Sequence, residues 1–211
     1  MLSAVDLSVA GRSGQLLPPT SLELLPGNLL LVQADSQDTR TVLALTLSGR
    51  MRPTSGSVQW GHDGDIAKLR RRSALLDAPG VNQPERHLRV VDVVAEDLAL
   101  LPRAARTRPQ QWLEQHGFLD LARAWVQEIP PETRLVLLTE LALADPGVEL
   151  LIVDSPDRHT SDPDNWLPFL QDVTGRGRHG VAVVAVVTRV PADHAGSIVV
   201  TPSTAESQEL P

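Results

Sequence analysis

Apolar residues recur along the chain in two patterns, separated by polar turns. Uninterrupted apolar runs occupy 29–32, 150–153 and 181–187, which is the pattern of strands buried on both faces of a parallel sheet. Residues 2–9 and 21–25 alternate instead, and Pro26-Gly27 punctuates them, so the chain is expected to open with short antiparallel strands. A helical stretch is predicted over 41–48, ended by Gly49 and the turn Pro53-Thr54-Ser55-Gly56. Residues 56–77 read as strand, turn, basic helix start and strand, the last strand being Ser73–Leu76. Proline-broken helical patterns follow at 90–101, 109–116 and 119–126. Trp112, Phe118 and Trp125 are spaced to form the core of that region. An amphipathic helix over 135–143 leads to Ala144-Asp145-Pro146.

The bulk numbers narrow the function. A chain of 211 residues fits one large domain, or a domain with a small insertion. Its net charge of -7 argues against nucleic acid as a general partner. Cysteine is absent, which excludes thiol chemistry and a disulfide framework and suits the cytoplasm. The N-terminus has no basic start followed by an apolar core, so no signal peptide is expected. The apolar runs are too short to span a bilayer, so no direct membrane insertion is expected and any membrane association runs through a partner. Arg70-Arg71-Arg72 reads as a solvated basic face, and His159, His179 and His194 read as surface residues without ligand spacing.

The loop between the strand at 29–32 and the helix at 41–48 is the chemically informative segment. A phosphate-binding loop reads G-x-x-x-x-G-K-[ST]; here the same window reads Ala34-Asp35-Ser36-Gln37-Asp38-Thr39-Arg40-Thr41. Such a loop holds phosphate with successive backbone N–H groups and the positive end of the next helix. Its glycines take positive φ at low cost, whereas a β-branched Thr39 could not. Arg40 keeps the lysine's charge as a bulkier planar fork. Asp35 and Asp38 add negative charge where a polyphosphate would sit. Read alone, the segment is better taken as an ordinary strand–loop–helix unit with a polar turn.

In combination these features resemble the ATP-binding subunit of ABC transporters. The strand, loop and helix, the Pro-Thr-Ser-Gly turn, the Asp-Pro turn and a buried strand ending in Asp154 occur in that family's order over about residues 1–200. The resemblance implies an α/β, P-loop NTPase-like three-layer domain with an antiparallel β-layer and a small helical subdomain. Residues 1–78 and 135–200 would form the core, 79–134 the helical insertion and 201–211 a frayed polar tail. It also implies that 79–101 docks a membrane permease.

The resemblance further implies where chemistry should sit, and most of those positions have changed. No aromatic precedes Trp60 to stack on adenine. Asp77 stands at or near the family's glutamine, and Gln83 comes too late to replace it. Ile129-Pro130-Pro131-Glu132-Thr133-Arg134 fills the place of the LSGGQ signature, where two prolines remove two N–H donors. Asp154 matches the aspartate that holds Mg²⁺ through water; by itself it could equally cap a turn. Ser155 replaces the catalytic glutamate, and Arg189 the histidine at the γ-phosphate.

The expected protein is therefore a pseudo-ATPase with a vestigial phosphate loop at 34–41, no catalytic residues, and ATP and Mg²⁺ as weak ligands at most. Its partners would be a permease, a second ABC ATPase subunit, or both, at the inner face of the plasma membrane. Two alternatives stay open. One is a weak ATPase using Arg40, Thr41 and Asp154. The other is a stand-alone module whose acidic cleft takes a cation or amine.

Overall fold

The buried apolar runs become the centre of a five-stranded parallel sheet. The computed structural model describes residues 1–12, 14–61, 64–160, 162–177, 179–194 and 196–202. Its elements are β1 (Leu2–Ala10), β2 (Gln15–Leu24), β3 (Leu29–Gln33), α1 (Gln37–Leu47), β4 (Ser55–Trp60), α2 (Ile66–Arg72), β5 (Ser73–Leu76), α3 (Val90–Leu100), α4 (Pro109–Gln115), α5 (Pro131–Leu143), β6 (Leu150–Asp154), α6 (Leu167–Thr174), β7 (Ala182–Val187) and β8 (Ser197–Val200). The parallel sheet has the order β5-β6-β7-β3-β8, and β6 and β7 are buried along their whole length.

Alternate residues of these strands enter two cores, as the two-residue strand period requires. Leu30, Val32, Ile152, Val184 and Val186 face α1 and a second sheet. Leu31, Leu151, Val153, Val183 and Ala185 face Leu135 and Leu138 of α5 and Leu170 and Val173 of α6. The result is three layers: antiparallel sheet with α1, parallel sheet, then helices.

The antiparallel sheet has the order β2-β1-β4. Its strand β2 starts at Gln15, six residues before the expected start at 21. Pro18 and Pro19 masked it in the sequence, yet they are tolerated because β2 is an edge strand. Pairing passes from Leu7 opposite Thr20 to Val9 opposite Leu17, so both prolines fall in a bulge. Gly56 has a fixed role here. At φ +76°, an added Cβ would lie 2.2 Å from the Asp6 carbonyl oxygen, so no side chain fits where β4 crosses β1.

A third core joins α3, α4 and α5. Val94 and Leu98, Trp112 and Leu113, and Leu137 and Leu141 meet there, with Phe118 stacked near Trp112 at 6.2 Å between ring centroids. The expected helix over 119–126 does not form. Only the short 3-10 turns Leu119–Leu121 and Val126–Glu128 occur. The backbone between them bonds sideways to the start of α3 instead: Val90 N–H donates to Ala124, Val91 N–H to Ala122, and Val126 N–H to Leu88. Trp125 accordingly lies outside this core, beneath the Arg89 guanidinium at 4.0 Å. No helix among the described residues is long and apolar enough to cross a membrane. Residues 203–211, most of the expected tail, lie outside the described residues.

Candidate functional site

The loop after β3 is closed by its own side chains. Ser36, in extended conformation, caps α1: its Oγ accepts from Thr39 N–H at 3.0 Å, and its carbonyl accepts from Arg40 N–H at 3.1 Å. Helix α1 therefore begins at Gln37, four residues before the predicted start. Thr39 lies inside the first turn, and its φ is not positive. The Thr39 and Arg40 amides, which a phosphate loop would offer to an anion, are used within the helix terminus. Asp35 and Asp38 are exposed.

Arg40 is buried, at 7% exposure, and turns inward. Its Nη1 donates to the carbonyls of Ala34 (2.9 Å) and Asp35 (2.8 Å). Its Nε donates to Ser155 Oγ at 2.9 Å and its Nη2 to Gln37 Oε1 at 3.1 Å. Most of the guanidinium's donors are thus consumed by protein acceptors.

Asp154 ends β6 with no solvent exposure. Its Oδ1 accepts from Ser155 Oγ (2.7 Å) and Gln37 Nε2 (3.1 Å), and its Oδ2 accepts from Thr41 Oγ1 (2.7 Å). A buried carboxylate needs donors or a cation. Here hydroxyl and amide donors supply them, and Arg40 contributes its charge through Ser155. The Gln37 amide nitrogen, itself a donor, stands against Asp154 where a cation would have to approach. The residues as arranged do not fit a Mg²⁺ ion, and among the described residues no group of three or more His, Cys, Asp or Glu is placed to hold a metal. Ser155 adopts the left-handed conformation (φ 54°, ψ 59°), and its N–H donates to the Val186 carbonyl at 2.8 Å. Non-glycine residues pay for this conformation with strain that the surrounding hydrogen bonds must hold.

A second polar cluster surrounds Asp77, which also has positive φ (56°). Its Oδ2 meets Arg134 Nη2 of α5 at 3.1 Å, Arg158 Nη2 at 3.0 Å and His159 Nε2 at 3.3 Å. Arg158 also donates to the Asp77 carbonyl. Asp77 Oδ1 and Arg158 Nη1 are buried without hydrogen-bond partners, and Asp77 borders a cavity of about 20 Å³, room for a single water. His159 is an exposed residue, as the sequence reading has it, yet its ring nitrogen joins this cluster. Burial lowers its pKa below the ordinary 6.5, the Arg134 and Arg158 charges lower it further, and Asp77 opposes them. The same His159 Nε2 lies 3.1 Å from Arg158 Nε, which donates to it when that nitrogen carries no proton.

This gives a pH expectation. The unfolded histidine takes its proton first, so the folded state loses stability as pH falls below 6.5, and the loss levels off below the folded pKa. His159→Gln should flatten that limb in urea titrations from pH 7.5 to pH 5. Identical pH profiles for the two proteins would remove His159 from the account.

The structure thus brings together Gln37, Arg40, Thr41, Asp154 and Ser155. Ala34 contributes a carbonyl, and Ser36 and Thr39 shape the helix start. Arg189 stays apart and exposed after β7, although Asp157 Oδ2 anchors the adjacent Thr188 N–H at 2.8 Å. Sequence reasoning missed the convergence of Arg134, Arg158 and His159 on Asp77. The one available signal was a carboxylate at the end of a buried strand.

A cleft of about 1170 Å³ opens between the β5 edge and the helices α3 and α5. Its floor includes Leu101, Leu138 and Leu141, and Gln83 sits on its wall.

No protein-family model matches the chain, and no curated protein is similar to it in sequence. Solved structures do match. A bacterial ABC transporter cassette in dimeric form aligns with TM-score 0.70 and 16% identity, over 95% of this chain and 94% of that one. An ATP-binding subunit of an ABC transporter aligns at TM-score 0.66 and 16% identity, over 95% and 85%. The protein cbiO1 of Clostridium perfringens, part of the ABC transporter complex cbiONQ, aligns at TM-score 0.63 and 16% identity, over 89% and 78%. The chain has the fold of the ABC transporter ATP-binding cassette.

Proposed function

We propose that this chain is a pseudo-ATPase: a cassette-fold subunit that keeps its nucleotide cleft shut and acts by binding partners. One observation carries the reading. Arg40, Gln37, Ser155, Asp154 and Thr41 satisfy one another in a buried network where phosphate and Mg²⁺ would otherwise be held. Ser155 supplies no general base at neutral pH, a group that typically contributes about 10²–10⁴-fold to rate. The segment 34–41 is then a vestigial phosphate loop, and Arg189 a replaced γ-phosphate contact.

The partners proposed are a membrane permease, a second cassette subunit, or both. The cassette fold supports this, because one matching structure is dimeric and cbiO1 is part of a transporter complex. Through a permease the chain would sit at the inner face of the membrane, with 79–134 as a helical insertion beside the 1170 Å³ cleft.

A weakly active ATPase is favoured only by the Thr41–Asp154 hydrogen bond, which keeps a hydroxyl and a carboxylate together at the old metal position. Calorimetry separates the two. Titration with ATP and Mg²⁺ is expected to give no binding heat at millimolar nucleotide. Saturable binding that disappears in Asp154→Ala would overturn the pseudo-ATPase reading.

A further inference from the structure

The small cavity beside Asp77 lies between the parallel sheet and the helices that cover it. Its wall takes Val153 and Asp154 from the end of β6, Leu135 from α5 and Trp166 from the start of α6. Among the described residues, two side chains that border it carry a buried polar atom with no hydrogen-bond partner: Trp166 through Nε1 and Asp77 through Oδ1. Trp166 is 2% exposed and Asp77 9%, so bulk water does not serve either atom. Buried polar groups left bare are rare because each carries its full desolvation cost.

The other polar groups of the wall are engaged elsewhere. Asp154 accepts from Ser155, Gln37 and Thr41. Arg134 and His159 face the other Asp77 oxygen, Oδ2. Asn165 Nδ2 donates to Thr160 Oγ1 at 2.9 Å, and Glu132 is exposed. One N–H donor and one carboxylate acceptor remain to be satisfied across the same cavity.

A single occupant must therefore accept from the indole and donate to the carboxylate, because an indole N–H only donates and an ionised carboxylate only accepts. A monatomic anion would satisfy Trp166 but lie against the carboxylates of Asp77 and Asp154. A cation would satisfy Asp77 and leave the indole bare in a dry site. Water does both, and two partners suffice for a buried water. The cavity of about 20 Å³ exceeds the space of about 10–15 Å³ that one water needs and admits nothing much larger. We propose that the cavity is the binding site of one resident water, which accepts from Trp166 Nε1 and donates to Asp77 Oδ1. The water joins the start of α6 to the residue after β5, and through Asp77 to Arg134 of α5. Both helices of the covering layer are thereby tied to one polar joint.

Nuclear magnetic resonance on the full chain, labelled with nitrogen-15, tests this. The four tryptophans each give one indole cross-peak, and Trp166→Phe identifies the one that belongs to Trp166. The Trp166 indole proton is expected to show a rotating-frame Overhauser contact to water, with the laboratory-frame sign of a water that tumbles with the protein. Proton exchange has the opposite sign in the rotating frame and is set apart by it. The Thr160 hydroxyl also borders the cavity and is a second source of such a contact. The contact should therefore survive in Thr160→Val.

No contact between water and the Trp166 indole would overturn the proposal, as would loss of the contact in Thr160→Val. Salt titrations cover the ions. The Trp166 indole resonance is expected to stay in place as sodium chloride, sodium sulfate or ammonium sulfate is added. Saturable movement with sodium chloride but not sodium sulfate would show a bound chloride, and movement with ammonium sulfate but not sodium sulfate a bound cation. Either result would put an ion where the water is proposed. None of these readouts involves nucleotide, so the proposal can fail while the pseudo-ATPase reading stands.

Discussion

Replacing Arg40 with methionine is expected to lower the unfolding free energy by about 3 kcal/mol, the range seen when one partner of a buried charge network is removed. Methionine keeps much of the volume but no donor. The carbonyls of Ala34 and Asp35, the Ser155 hydroxyl and the Gln37 amide oxygen would each lose a partner. Buried acceptors left bare cost about 1–3 kcal/mol each before relaxation, so the total stays at a few only if water enters. Asp154 would also lose the positive charge relayed through Ser155. Urea denaturation gives the measurement. A loss below about 1 kcal/mol, the size typical of surface substitutions, would mean that Arg40 is not holding the cleft shut. A double-mutant cycle with Asp154→Asn sharpens the test. Coupling between the two sites should make the double variant more stable than the sum of the single losses implies.

The second large effect is expected at Asp77. Asparagine tolerates the left-handed backbone that Asp77 adopts, so Asp77→Asn isolates the charge. It leaves Arg134 and Arg158 facing each other with no carboxylate between them. About 3 kcal/mol of stability should be lost, again by the cost of an uncompensated partly buried charge. The loss has a location. Arg134 belongs to α5 and Arg158 to the turn after β6, so Asp77 ties the helical layer to the sheet. Hydrogen exchange should accelerate in α5 and around 156–160 before it changes in β6 and β7. Uniform acceleration across the sheet would show that the cluster is not a local tie.

The fold was legible where burial on both faces made the signal redundant. The runs at 29–32, 150–153 and 181–187 declared parallel strands because no polar residue can sit on either side of them. Legibility failed where long-range pairing overrode local pattern. Pro18 and Pro19 argue against a strand unless the bulge and the free edge are known. Residues 119–126 look helical, yet their backbone bonds to the start of α3. At the site, the sequence pointed to residues 34–41, Asp154 and Ser155. It could not show that Gln37 reaches Asp154 across 117 positions, nor that Ser36 caps a helix beginning inside the phosphate-loop window. Arg134 was read as part of a lost signature. Its pairing with Asp77 is a matter of three-dimensional proximity that no spacing rule encodes.

The interlocking of Gln37, Arg40, Ser155 and Asp154 also bears on ancestry and descent. Changing Arg40 alone to lysine deprives several acceptors at once. Changing Ser155 alone to glutamate sets a second carboxylate beside Asp154 in a dry site, on a backbone that disfavours a longer side chain. Changing Thr39 alone to glycine loosens the helix start that Ser36 caps, with no phosphate to gain. Each single step toward catalysis passes through a less stable protein, and the steps help only when taken together. On the pseudo-ATPase reading proposed above, descendants of this chain should vary more readily at their partner surfaces than in the closed cleft, and a return to hydrolysis would require several concerted substitutions.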